Sequence, residues 1–129
     1  TVVNRTAERA EQLAADFSSD NNVAISGGGF ESIEGETFDL IINGTGASLK
    51  GEMLALPGVQ LSDRCCCYDM GYGSEPTPFM RWGASQAAWA VADGLGMLVE
   101  QAAESFYLWR GKRPETTSII QLLRQQVES

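Results

Sequence analysis

The chain has 129 residues, enough for one compact core and short of two full domains, with 17 Asp and Glu against 9 Lys and Arg for a formal net charge of -8. The few basic residues are scattered, which argues against nucleic acid or an anionic membrane as the main partner. No apolar run approaches the roughly 20 residues of a membrane span and no signal-peptide pattern opens the chain, so a soluble, cytoplasmic protein is expected. It begins on Thr1, in what reads as mid-strand, and a fragment of a longer protein is the expectation.

The opening "TVV" reads as the end of a strand that runs into a helix from Thr6, where Ala10, Leu13, Ala14 and Phe17 recur at helical spacing. Arg5 and Arg9 stand at the N-terminus of that helix, where free backbone N–H groups already carry partial positive charge. Each cation there costs about 0.3–1 kcal/mol unless an anion sits among them. The spacing fits either a phosphate grip or solvated surface charges offset by Glu8 and Glu11. Next, "NNVAIS" over 21–26 predicts a short strand, and Gly27–Gly29 a flexible surface turn, because the triplet lacks the order of a phosphate-binding GxGxxG.

"FDLIIN" over 38–43 is an apolar run of the kind buried on both faces of a parallel sheet, and "RCCCYDM" over 64–70 predicts another such strand. Neighbouring cysteines on a strand point to opposite faces, and no other Cys or any His is present, so neither an internal disulfide nor a metal site is expected. Cys65, Cys66 and Cys67 are read as small buried side chains of a central strand. Thr77 as N-cap and Pro78 at the first helical position open a helix carrying residues 79–88, which Gly83 should fray. "AWAV" over 88–91 suggests one more strand. A long helix then follows over 93–111, closed by Gly111, with a core stripe of Leu95, Leu98, Ala102, Phe106 and Trp109. The last helix, 117–129, places Ser118 and Gln121 at capping-box spacing and Ile119, Ile120, Leu123 and Val127 along one side.

Alternating strands and helices predict an α/β fold, a Rossmann-like three-layer sandwich with a parallel sheet covered on both faces. In dinucleotide-binding folds the end of the second strand meets the adenosine ribose, and a carboxylate there accepts the 2′-hydroxyl of NAD. Here that position offers Asn4, Arg5 and Thr6 and no carboxylate, which suits the 2′-phosphate of NADP.

Four segments, "NRTAERAEQLA", "FDLIINGTGASLKG", "CYDMGYGSEPTPF" and "ADGLGMLVEQAAESFYLWRG", together resemble the C-terminal, NADP-binding half of the shikimate dehydrogenase family, in the family's order and over essentially the whole chain. The resemblance implies that Asn4, Arg5, Thr6 and Arg9 hold the 2′-phosphate and that Thr45 lines the cofactor path. The usual Asn-Ala-Thr-Ser turn reads Asn43, Gly44, Thr45, Gly46 here, a departure that loosens the loop. It also implies that Met70 and Gly94 flank the nicotinamide, and that Tyr72 and Gln101 touch the substrate. Met97 and Gln101 are four residues apart on one helical face, so a thioether for the nicotinamide ring and an amide for the substrate can share it. Read without the resemblance, Met97 fits gap-filling core, Gln101 solvated surface and Tyr72 a packed loop residue.

The implied layout is a partial NADP-binding domain over 1–110 and a helix over 111–129 that packs back toward a substrate domain. The family reduces 3-dehydroshikimate to shikimate by hydride transfer from NADPH, a small-molecule reaction on the way to chorismate. Its first strand, its glycine-rich pyrophosphate turn and the N-terminal substrate domain with the Lys and Asp that serve the substrate hydroxyl are missing from these residues. No catalytic residue is therefore assigned, the fragment is expected to be inactive, and its unpaired strand edges are expected to favour self-association. A quinate/shikimate dehydrogenase of broader specificity and a non-catalytic nucleotide-binding module are the alternatives; the joint presence of Tyr72, Met97 and Gln101 favours an enzyme.

Overall fold

A computed structural model describes residues 1–18, 23–47 and 50–128. In chain order the elements are β1 (Val2–Val3), α1 (Ala7–Ser18), β2 (Gly27–Gly28), a 3-10 turn (Phe30–Ile33), β3 (Thr37–Asn43), β4 (Gln60–Asp69), α2 (Pro78–Ser85), β5 (Ala90–Ala92), α3 (Leu95–Arg110) and α4 (Thr117–Val127). They form two compact units, one of Thr1–Phe38 with Ala55–Gln60 and one of Asp39–Leu54 with Leu61–Ser129. The fold is mixed α/β with parallel pairing, as the alternation of strands and helices predicts. Among the described residues no helix is long and apolar enough to cross a membrane.

In the first unit β1 and β2 pair in parallel, Val2 opposite Gly27 and Val3 opposite Gly28. The expected strand over 21–26 begins on residues outside the described ones, and its remainder, 23–26, is not strand; the strand lies on the glycines that follow. Gly28 and Gly29 are buried, so the triplet is not a surface turn. A Cβ on Gly27 would collide with the Ala10 carbonyl of α1, so this glycine lets helix and strand approach more closely than a side chain would permit. That contact also selects which face of α1 is buried. Ala10 and Ala14 go in, while the larger Leu13 and Phe17 stay exposed, correcting the expected stripe. Ile33 and Val59 complete this small core.

In the second unit the strands are ordered β3-β4-β5, with Cys66 opposite Ala90 and Tyr68 opposite Ala92 in a parallel pair. Glu36 O accepts from Gln60 N at one end of β3 and β4 and Asn43 O accepts from Met70 N at the other, both at 2.9 Å, so β3 and β4 also run in parallel. β3 is an edge strand of this sheet, and Leu40 and Ile42 are exposed, so the expectation that "FDLIIN" is buried on both faces does not hold here. β4 is central, and Cys65 and Cys67 are buried on it with Cys66 half-buried, as the cysteine run suggests.

Phe79, Leu95, Val99 and Ala103 supply most of the remaining core, and the Phe79 and Trp82 rings stack at 5.5 Å. The buried row of α3 is therefore 95, 99 and 103. Leu98 and Phe106 are half exposed and Trp109 is 78% exposed, so the broad stripe expected from the sequence lies mostly on the open side. Helix α2 starts where Thr77 and Pro78 place it, with Met80 N donating to Thr77 Oγ1, but it ends at Ser85. Gly83 does not fray it. A Cβ there would stand 2.9 Å from Cys67 Cβ and 3.2 Å from Val91 Cγ1, so this glycine is where α2 seats on β4 and β5.

Gly111 closes α3 in the left-handed conformation, φ +68°, as expected. Helix α4 begins at Thr117, with Thr116 rather than Ser118 at its N-cap position. The Glu115 carboxylate accepts from Thr117 N, Ser118 N and Ser118 Oγ, and these bonds, the Ser118 hydroxyl first, hold its pKa down at about 2. A carboxylate ahead of the helix thus takes the capping role that the spacing of Ser118 and Gln121 suggested. Ile120, Leu123 and Val127 are half-buried, whereas Ile119 turns outward.

Two outcomes follow from this packing. Gly83→Ala gains about 1 kcal/mol of helix propensity but overpacks by about 1–3 kcal/mol, so denaturant melts should show net destabilisation where a frayed exposed helix would show a gain. Burial raises the Cys65 pKa and pushes that of Cys67 up to about 12. In a thiol-disulfide exchange assay at pH 8 the native chain should therefore react at no more than one cysteine, and at all three after denaturation. The sign for stability follows: native Cys67 holds its proton above the ordinary 9.0 of an unfolded thiol, so stability should be steady below pH 9 and fall as pH rises from there towards about 12.

Candidate functional site

In parallel α/β sheets ligands bind beyond the carboxyl ends of the strands, and three of the sequence-derived residues meet there in the second unit. Asn43 ends β3 and is buried; its Oδ1 accepts from Thr45 N at 3.0 Å and Thr45 Oγ1 at 2.8 Å, which fixes the turn that carries Thr45. The loosening expected from Gly44 and Gly46 is thus opposed by two hydrogen bonds. Met70 follows β4, bonded through its N–H to Asn43 O, and a Cβ on Gly44 would stand 3.3 Å from Met70 Sδ. Gly94 caps α3, donates to Gly71 O at 3.1 Å, and lies so close to the Met70 carbonyl that a Cβ there would collide with it. Thr45, Met70 and Gly94 therefore stand on adjoining turns held by backbone contacts.

Tyr72 lies in the loop after β4 and is exposed, as are Met97 and Gln101 on the first two turns of α3. Met97 and Gln101 share a face that the core row Leu95, Val99 and Ala103 leaves open, so neither is core filler.

In the first unit Asn4 Oδ1 accepts from Thr6 N at 2.9 Å, and Asn4 N donates to Gly28 O at 3.1 Å. Thr6 O accepts from Arg9 N at the start of α1. Arg5 and Arg9 are exposed, and among the described residues neither forms an ion pair. Glu8 and Glu11 do not neutralise them by contact. An Asx turn, a helix N-terminus and two guanidinium groups without an ion pair among the described residues make a donor set suited to a phosphate dianion.

The sequence reading missed the groups that hold these turns in place. Asp69 is fully buried at the end of β4; its Oδ1 accepts from Gly71 N at 2.9 Å and its Oδ2 from Thr77 Oγ1 at 2.6 Å. The run Cys65–Asp69 carries no polar and apolar alternation, so the period-two burial of Cys65, Cys67 and Asp69 emerges only in the structure. Asp93 and Arg124 were missed as well: Arg124 Nη1 and Nη2 donate to the two Asp93 oxygens at 2.6 and 2.5 Å. This pair borders a cavity of about 470 Å³ also lined by Pro76, Met80, Val91 and Ile120.

Comparison with known proteins agrees with these motifs. The family model for the shikimate 5′-dehydrogenase C-terminal domain matches residues 94–124. The NADP(+) shikimate dehydrogenase of Saccharophagus degradans is 52% identical over 128 residues, covering 96% of this chain and 46% of the relative. That of Alcanivorax borkumensis is 53% identical over 123 residues, covering 95% and 44%. The chain thus spans about half the length of the curated relatives it matches. Among solved structures, an Ael1 enzyme from Pseudomonas putida matches at TM-score 0.76 and 38% identity over 95% of this chain and 44% of that one. A shikimate dehydrogenase in complex with NADP+ matches at TM-score 0.81 and 25% identity over 99% and 47%. With half its residues identical along nearly its whole length, the chain belongs to the shikimate dehydrogenase family, as a counterpart of its C-terminal domain.

Proposed function

We propose that these residues form the NADP-recognising half of an enzyme that reduces 3-dehydroshikimate to shikimate in the cytoplasm. The observation that carries this reading is the meeting of Thr45, Met70 and Gly94 at the carboxyl ends of β3, β4 and β5. The unpaired Arg5 and Arg9 at the start of α1 support the cofactor choice.

In this reading Asn4, Arg5, Thr6 and Arg9 bind the 2′-phosphate, Thr45 lines the path, and Met70, Gly94 and Met97 form the nicotinamide wall. Tyr72 and Gln101 meet the substrate. The bound cofactor supplies the hydride; the protein's part is binding, orientation and the exclusion of water. The exposed thioethers of Met70 and Met97 provide apolar surface for a flat ring, and the Gln101 amide offers both a donor and an acceptor to a hydroxyl or carboxylate. The family resemblance assigns the Lys and Asp that serve the substrate oxygen to a different domain, so the 129 residues by themselves are proposed to bind without turnover.

Titration of the chain with NADP and with NAD tests this. A charge-assisted hydrogen bond contributes about 1.5–3 kcal/mol, so NADP should bind at least tenfold more tightly, and changing Arg5 and Arg9 together to Ala should abolish that preference while leaving NAD unaffected. Equal affinity for the two nucleotides, or dehydrogenase turnover by the chain alone, would contradict the proposal. We further propose self-association: among the described residues β1 pairs only with β2 and β3 only with β4, leaving an open edge on each sheet. Sedimentation velocity should then show a mean size that grows with concentration, and a concentration-independent monomer would refute it.

A further inference from the structure

The turn Asp93–Leu95 joins β5 to α3 and carries Gly94, and the contacts that hold it come from several directions. From below, Gly94 N donates to Gly71 O at 3.1 Å, and the Met70 carbonyl leaves no room for a side chain on Gly94. From within, Asp93 Oδ1 accepts from Leu95 N at 3.2 Å, closing the turn on itself. From outside, Arg124 grips both Asp93 oxygens in a two-pronged pair although it lies 31 residues further on, in α4. The Asp93 side chain is only 7% exposed, so its charge is largely withdrawn from water and depends on this partner. Hydrogen bonding to Asp93 in turn raises the Arg124 pKa, so the cation is held charged.

A fork-to-fork pair fixes orientation as well as distance, which a single point charge does not. The carboxylate that closes the Gly94 turn therefore has its plane set by α4. That helix has no fully buried side chain of its own, and Arg124 links it by two hydrogen bonds to the strand-helix junction.

We infer that Arg124 is a positioning residue: acting through Asp93, it holds the Gly94 turn against Met70 and so sets the nicotinamide wall. The second half of that statement rests on the reading that Met70 and Gly94 flank the nicotinamide; the first half does not. Arg124 touches neither cofactor nor substrate in this scheme. It governs how well the turn is formed before either arrives.

The test is amide hydrogen exchange on the 129-residue chain and its Arg124→Gln and Arg124→Lys variants, with affinities for NADPH and for adenosine 2′,5′-bisphosphate measured on the same samples. In Arg124→Gln, exchange at Leu95 should quicken at least tenfold while Cys65–Cys67 of β4 and Val99 and Ala103 of α3 stay protected. Arg124→Lys keeps the charge and loses the fork, so it should recover part of the protection. NADPH affinity should fall severalfold in Arg124→Gln, with that of adenosine 2′,5′-bisphosphate unchanged, because the latter lacks the nicotinamide end. Unchanged exchange at Leu95, or a loss of protection shared equally by all amides, would overturn the inference, the latter by showing a purely structural role. Should wild-type chain bind adenosine 2′,5′-bisphosphate and NADPH equally well while the exchange pattern appears as expected, the nicotinamide reading fails and the hold of Arg124 on the turn stands.

Discussion

The arrangement of the second unit depends on one buried carboxylate. Asp69 sits at the end of the central strand with no exposure to water, where an unpaired charge would be severely unfavourable. Its two oxygens are bonded in different directions, one to the Gly71 amide and one to the Thr77 hydroxyl. Thr77 Oγ1 also accepts from Met80 N, so the same oxygen that donates to the carboxylate caps α2. One side chain thereby fixes the direction in which the chain leaves β4, the entry of the next helix, and the loop between them that carries Met70 and Tyr72. Removing the carboxylate would release all three at once, because each is held by the same buried group.

Glycine supplies the complementary constraint. At Gly83 and Gly94 the molecule brings backbone to within a distance that even a methyl group would violate, once between α2 and the sheet and once between the α3 turn and Met70. A hydrogen bond fixes direction and a glycine fixes depth. At the Gly94 turn both act together, the depth from the missing Cβ and the direction from Asp93. A site built in this way is held by main chain and buried polar groups, and its ligand-facing side chains remain exposed.

The legible part of the fold was the part with local causes. Thr77 followed by Pro78 announces a helix start by its own chemistry, and Gly111 announces an end. Strand and helix alternation is likewise written in short windows. What could not be read was the choice between faces that only a neighbour decides. On α3 the rows 95, 98, 102, 106, 109 and 95, 99, 103 are both helical, and the first carries more apolar surface. The second is the row that is buried. The same holds on α1, where Ala10 and Ala14 displace Leu13 and Phe17 at the close approach of Gly27. Among candidate site residues, motif resemblance named mostly exposed ones, with Gly94 buried and Asn4 half-buried. It passed over Asn43, Asp69 and Asp93, whose polar side chains act inward on the backbone and whose partners lie at sequence distances from 2 to 31.

The attachment of α4 shows why such distant partners matter. Along α3 and the link that follows it, Thr116 Oγ1 donates to Glu100 and Arg113 pairs with Glu100 and Glu104, with Arg113 about half exposed. Exposed pairs of this kind contribute little and weaken with salt. The Asp93–Arg124 pair differs in kind, since it is two-pronged and one partner is nearly buried. Loss of an exposed pair returns two ions to water at small cost. Loss of Arg124 strands a carboxylate inside the protein, and the least costly response is for the Asp93 turn to open toward solvent. The position of the last helix and the shape of the turn that carries Gly94 are therefore coupled through the Asp93–Arg124 ion pair.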